Sequence, residues 1–215
     1  MFLGHYAVAF AAKKVAPKTS LGTLLLSAQF LDLLWPIFLL LGIEHVRIDP
    51  GNTAFTPLDF YDYPISHSLV TVLGWSLAFA VIYFIRRRNQ KAAWILGLGV
   101  FSHWLLDLIS HRPDLPIAPD LQIYAGLGLW NSVAATVLVE SVLFVSSLIL
   151  YSRATTARDR TGVYAFWAFV IFIVLIYVGN ITSRQQPPAE TALMIGGLSQ
   201  WLIIPWAYWI DRHRV

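Results

Sequence analysis

His103 and Asp107 stand four residues apart in a run of otherwise apolar residues. Side chains with that spacing share one face of a helix, so an imidazole and a carboxylate there can address one ion. Three acids, Asp32, Asp107 and Glu140, fall inside apolar stretches, whereas all 15 Lys and Arg lie outside them. An acid at the centre of a bilayer costs about 2.5–3.5 kcal/mol on insertion scales. A chain that keeps its acids there while excluding every base is expected to have something for them to hold. His67 and His103 lie in or near the same stretches, and His5 lies in a short apolar segment at the amino end. Two or three imidazoles with two carboxylates suit Zn²⁺, and after it Mn²⁺ or Fe²⁺, better than Ca²⁺ or Mg²⁺, which prefer oxygen shells. The expected ligands of a divalent ion are therefore His5, Asp32, His67, His103 and Asp107.

Other residues could serve such an ion. Glu140, or whichever carboxylate is not coordinated, is the expected general base. Ser66 and Ser68 flank His67 behind Pro64, at a Pro-led helix start, and their hydroxyls are placed to orient the ring or a ligand. His111 continues the face of His103 and Asp107, and Arg112 beside it is suited to an anionic substrate group. Pro36, four residues after Asp32, removes the helical bond to the Asp32 carbonyl and is expected to kink the helix beside that carboxylate. Plainer readings compete with these. His103 with Asp107 could be a helix-packing hydrogen bond, Asp32 a cap or a histidine partner, His67 a solvated ring and Glu140 a protonated, packed acid. The sequence carries no phosphate-binding glycine loop, GxSxG elbow or HExxH.

The elements that must position these groups are transmembrane helices. The 215 residues are 57% hydrophobic and only 13% charged, with a mean hydropathy of +0.63, and soluble domains carry about a quarter charged residues. Roughly 20 apolar residues cross the hydrocarbon core. Six stretches qualify, at Ser20–Ile43, Ile65–Ile85, Ala92–Ser110, Trp130–Tyr151, Val163–Asn180 and Glu190–Ile210. Phe2–Ala12 is too short to span and is expected as a half-penetrating or interfacial helix. The expected fold is all-α, one transmembrane helical domain over residues 1–215. The absence of cysteine excludes disulfides and thiolate metal sites. The amino terminus lacks a basic n-region and is read as mature structure, not a signal peptide.

Basic residues cluster at Lys13–Lys18, Arg86–Lys91, Arg153–Arg160 and Arg212–Arg214, in alternate loops. The positive-inside rule then predicts an inner-membrane protein with both termini cytoplasmic and the loops at 44–64, 111–129 and 181–189 facing outward. Those outer loops are acidic, with Glu44, Asp49, Asp59, Asp62, Asp114 and Asp120. The basic pI therefore reflects membrane placement and not nucleic-acid binding. Tyr61, Tyr63, Trp94, Trp130, Tyr151 and Tyr164 fit interfacial belts. At about 1.5 Å per residue, Asp32 and His103 fall roughly 18 and 17 Å from the cytoplasmic end, and the other ionisable groups share that layer.

The order of these residues resembles the YdjM-like family of membrane-bound metal-dependent hydrolases, some of them LexA-regulated. The matching positions are Gly4-His5, Asp32, Ser66-His67-Ser68-Leu69, and His103 with Asp107, over about the first half of the chain. Family members commonly show Pro-Asp-x-Asp where this chain has Gln29-Phe30-Leu31-Asp32, and Arg-Gly where it has Pro64-Ile65. One carboxylate fewer favours a single ion over two. The resemblance implies a metal-dependent hydrolase, and the Phe- and Tyr-rich loop at 55–63 suggests a lipid or lipid-linked ester among its membrane-lipid surroundings. Two other functions use the same residues: a transporter or proton relay, against which stand the lack of repeat symmetry and of paired broken helices, and a scaffold with a structural metal.

Overall fold

The computed structural model describes residues 1–182 and 190–215. The expected outer loop at 181–189 lies outside the described residues from 183 onward. The protein is an all-α bundle whose helices fit a multi-pass membrane protein. Among the described residues ten α-helices follow in order: α1 (Phe2–Val15), α2 (Leu21–Ala28), α3 (Phe30–Leu40), α4 (Pro64–His67), α5 (Leu69–Arg87), α6 (Gln90–Ser110), α7 (Val133–Ala154), α8 (Arg160–Thr182), α9 (Glu190–Ser199) and α10 (Ile203–Arg212). Among the described residues five stretches of 19 to 23 residues are long and apolar enough to cross a membrane: α5, α6, α7, α8 and Glu190–Arg212, which joins α9 to α10. The bent pair α2–α3 makes a sixth. At 1.5 Å per residue these lengths match a hydrocarbon core of about 30 Å.

Two spans expected to be continuous are broken. Ser20–Ile43 divides at Gln29, where α2 and α3 meet at 58°. The bend precedes Asp32 and is not at Pro36, which sits inside an unbroken α3. Its cause is visible one residue earlier. The Ala28 carbonyl accepts a hydrogen bond from His103 Nδ1 at 2.8 Å, and a side chain inserted into the helical ladder bends a helix. Ile65–Ile85 divides at Ser68, whose backbone is extended and whose hydroxyl caps α5 by accepting from Thr71 N. His67 thus ends a one-turn helix instead of lying within a span.

α1 is short, as expected, but it lies at the centre of the bundle and not at an interface. It packs against α2, α6, α7 and α8. Phe10 is sealed among Phe144, Tyr151, Phe166 and Phe169, with ring centroids 5.3–6.2 Å away. Met1 accordingly lies inside the bundle, and Lys13 reaches Asp211 Oδ1 at 2.7 Å. That end also carries the backbone pairing of Thr156 with Val215 and of Arg158 with His213.

The opposite end is covered by two antiparallel pairs. β1 (His45–Ile48) pairs with β2 (Leu58–Asp62), and β3 (Leu115–Pro116) with β4 (Tyr124–Ala125). Gly126, at φ +156°, passes so close to the Arg112 carbonyl that a Cβ would collide with it. This contact and the bond from Leu127 N to Leu108 O fasten the loop to the end of α6. Of the expected interfacial aromatics, Tyr61, Trp94 and Tyr164 are exposed, whereas Tyr63, Trp130 and Tyr151 are buried inside the protein. The apolar side chains that α5 leaves uncovered, among them Leu73, Leu77 and Ile85, suit a lipid surround.

Candidate metal centre

Four segments bring their polar side chains to one point. α3 supplies Asp32 in its first turn, α4 supplies His67 as its last residue, and α6 supplies His103 and Asp107 one turn apart. α1 supplies His5. Gly99, one turn before His103, lets α2 come close: a Cβ there would lie 2.6 Å from Ser27 Oγ. That approach puts the Ala28 carbonyl within reach of His103.

The donor atoms form a compact cage. His103 Nε2 lies 3.3 Å from Asp107 Oδ2 and 3.5 Å from Asp32 Oδ1. His67 Nε2 lies 3.8 and 3.7 Å from the same two oxygens. Each of the two nitrogens thus faces both oxygens. Ligands at 2.0–2.2 Å from a tetrahedral ion are separated by about 3.4 Å. His67, His103 and Asp107 are buried, while 31% of the Asp32 side chain is exposed, so Asp32 forms the open side.

The protonation pattern matters more than the distances. His103 Nδ1 faces the Ala28 carbonyl and donates to it, so in the neutral ring Nε2 carries the lone pair. That nitrogen is sealed from solvent and has no hydrogen-bond partner among the described residues. A buried acceptor pointing at two carboxylates is costly unless a cation or proton lies between them. The residue types and the orphaned nitrogen both fit a divalent ion of the zinc class.

His5 approaches from the other side of Asp107. Its Nε2 is 3.1 Å from Asp107 Oδ1, which also meets the Met1 amino group at 2.5 Å. Its ring stacks on His103 at a centroid distance of 3.5 Å, nearly parallel. The donor atoms of His5, His103 and Asp107 lie within 4.8 Å of one another, as do those of Asp32, His67 and His103. Glu140, expected as a base, is buried and belongs to neither group. Its Oε2 accepts from Leu3 N at 2.5 Å, so it caps the first turn of α1. Ser66 Oγ lies 2.6 Å from His67 Nδ1, and Ser68 caps α5.

His111 and Arg112 are committed elsewhere. His111 Nδ1 is 2.9 Å from Asp114 Oδ1 and 3.2 Å from the Tyr63 hydroxyl. Arg112 donates to Asp59 Oδ1 at 2.5 Å and to Asp114 Oδ2 at 3.1 Å. Arg47 takes the other Asp59 oxygen at 2.6 Å. Arg112 therefore fastens the cap, because both carboxylates beside it are already its partners. No family model, curated protein or solved structure matches the chain.

One residue near the cage carries no signal in the sequence. Glu44 stands among several acids of a loop, yet it is buried and its carboxylate accepts from Ile65 N, Ser66 N and Ser66 Oγ at 2.8, 2.7 and 2.6 Å. Burial pushes this carboxyl above the usual range, and the same hydrogen bonds pull against that rise.

Proposed function

We propose that the protein is a membrane-embedded, metal-dependent hydrolase. The observation that carries this reading is the cage itself: two carboxylate oxygens and two imidazole nitrogens at 3.3–3.8 Å, one of those nitrogens buried without a hydrogen-bond partner among the described residues. His67, His103 and Asp107 hold the ion, with zinc preferred and manganese or iron as substitutes. His5 braces Asp107 through its second oxygen. With the partly exposed Asp32 carboxylate standing off the ion, these three ligands would leave the fourth position for water, the arrangement catalytic zinc sites use. A divalent ion bound there lowers the pKa of its water toward neutrality and polarises the scissile carbonyl or phosphoryl group.

Asp32 is then the general base. It is the one cage residue with an exposed side chain, so it faces incoming substrate, whereas the expected base Glu140 is occupied by the first turn of α1. A cage within an apolar bundle suits a lipid or lipid-linked ester. The residues His5, Asp32, Ser66-His67-Ser68 and His103/Asp107 also support membership of the YdjM-like family. The basic clusters orient the bundle with Lys13 and Arg214 on the cytoplasmic side of an inner membrane.

The test is an Asp32→Asn variant assayed with a panel of phospholipid and polyprenyl-phosphate vesicles. Retained metal with lost hydrolysis supports the assignment; turnover like wild type removes it. A cation or proton transporter is favoured by one observation against the sequence expectation, the helix breaks at Gln29 and Ser68 beside the cage. Flux in proteoliposomes that needs Asp32, without any hydrolysis, would establish that alternative.

A further inference from the structure

We infer that Glu44 is a positioning residue for the metal centre, acting through Ser66 to fix which nitrogen of His67 faces the ion. The inference rests on the metal-binding reading above, and it adds a residue from the cap to it.

Glu44 lies between the end of α3 and β1, yet its carboxylate reaches across to the start of α4. Pro64 opens that one-turn helix and has no amide hydrogen, so Ile65 N and Ser66 N are its first free donors. Both donate to Glu44 Oε1, at 2.8 and 2.7 Å. Glu44 therefore caps α4 from a distant part of the chain and sets the position of the turn that carries His67.

The second oxygen sets the proton order. Ser66 has a single hydroxyl hydrogen, and at 2.6 Å from Glu44 Oε2 that hydrogen goes to the carboxylate. The Ser66 oxygen then has only lone pairs left for His67 Nδ1, which is also 2.6 Å away. Nδ1 must carry a proton, so in the neutral ring Nε2 is left as a lone pair. That nitrogen points at Asp32 Oδ1 and Asp107 Oδ2. The chain from Glu44 through Ser66 to His67 does for this ring what the Ala28 carbonyl does for His103. Both imidazoles consequently present the same kind of atom to the cage. Carboxylate partners of metal-binding histidines act in this way, and their loss weakens metal affinity by about 10–100-fold.

Replacing Glu44 by Gln reverses the order. The new amide group can donate to Ser66 Oγ, which then donates to His67 Nδ1 and moves the ring proton to Nε2. The full-length protein in detergent, labelled with ¹⁵N-histidine and freed of metal, reports this directly through the His67 ring nitrogens. Wild type is expected to show Nδ1–H, and Glu44→Gln to show Nε2–H. Zn²⁺ titration of the same samples is expected to show affinity about 10–100-fold weaker for Glu44→Gln. Ser66→Ala, which removes the link without placing a new group beside Glu44, is expected to weaken affinity as much, and the double variant no further. A His67 tautomer unchanged by Glu44→Gln, or full Zn²⁺ affinity in Ser66→Ala, overturns the inference while leaving metal binding intact. A wild type that shows Nδ1–H but takes up no Zn²⁺ instead removes the metal reading and keeps the relay.

Discussion

Glu140 offers a sharp separation between a chemical and a structural role. In the structure its carboxylate is buried and accepts from Leu3 N at 2.5 Å, at the first turn of the helix that fills the bundle. Truncation to Ala removes a hydrogen bond to a charged group, worth about 1.5–3 kcal/mol. It also removes a negative charge from a helix N-terminus, worth up to about 2 kcal/mol when buried. These terms overlap, so a loss of about 3 kcal/mol is expected for Glu140→Ala. For a chain of this length that lowers Tm by about 6–12 °C. Glu140→Gln keeps an acceptor for Leu3 N and loses only the charge, so about 1–2 kcal/mol is expected. Thermal unfolding in detergent, followed by circular dichroism with and without Zn²⁺, measures both. The reasoning is refuted if both variants melt with wild type. It is also refuted if Glu140→Gln keeps wild-type stability and Zn²⁺ affinity yet abolishes hydrolysis, because Glu140 would then be the base.

Three further outcomes follow from the geometry. Gly99→Val forces α2 away from α6 at Ser27, costs about 1–3 kcal/mol by overpacking, and weakens Zn²⁺ binding by lengthening the bond from His103 Nδ1 to Ala28 O; an isothermal Zn²⁺ titration checks it. Arg112→Gln costs about 1 kcal/mol, because Asp59 keeps Arg47 and the Arg112 side chain is 37% exposed. Metal content is expected to stay at the wild-type level, and a lost metal would refute the cap role. At the other end, the hydrogen bond from His213 at 2.7 Å holds Asp159 below the usual carboxylate range. A depressed carboxyl contributes its stability above the unfolded value and loses it as pH falls through the folded one. The pairing of residues 213–215 with 156–158 should therefore loosen only below about pH 4, visible as faster amide exchange at Arg158 and Val215; loosening above pH 5 would contradict it.

The cage residues were legible because ionisable groups are expensive in hydrocarbon, so Asp32, His103 and Asp107 stand out against their surroundings without any knowledge of the fold. His67 and His5 were harder, since a histidine near a span end has ordinary explanations, and only their meeting with Asp107 distinguishes them. Glu44 was invisible, because an acid in a loop with several acids gives no sign that it turns inward to cap a helix twenty residues away. Helix breaks were equally hidden. The bend at Gln29 follows a bond that His103 makes from another helix, and no local propensity encodes it. Pro36, the local signal, does not mark the break, because α3 continues through it. Arg112 looked available for a substrate because its partners, Asp59 and Asp114, are assigned by the cap and not by sequence neighbours alone.

The central claim is that apolar helices hold carboxylates and imidazoles together around one divalent ion. Plasma-emission metal analysis of the purified protein, after equilibration with Zn²⁺ and removal of excess, tests it most directly alongside His103→Ala and Asp107→Asn. One zinc per chain in wild type and near none in either folded variant is the expected result. Equal zinc in all three, or none in wild type, would contradict it.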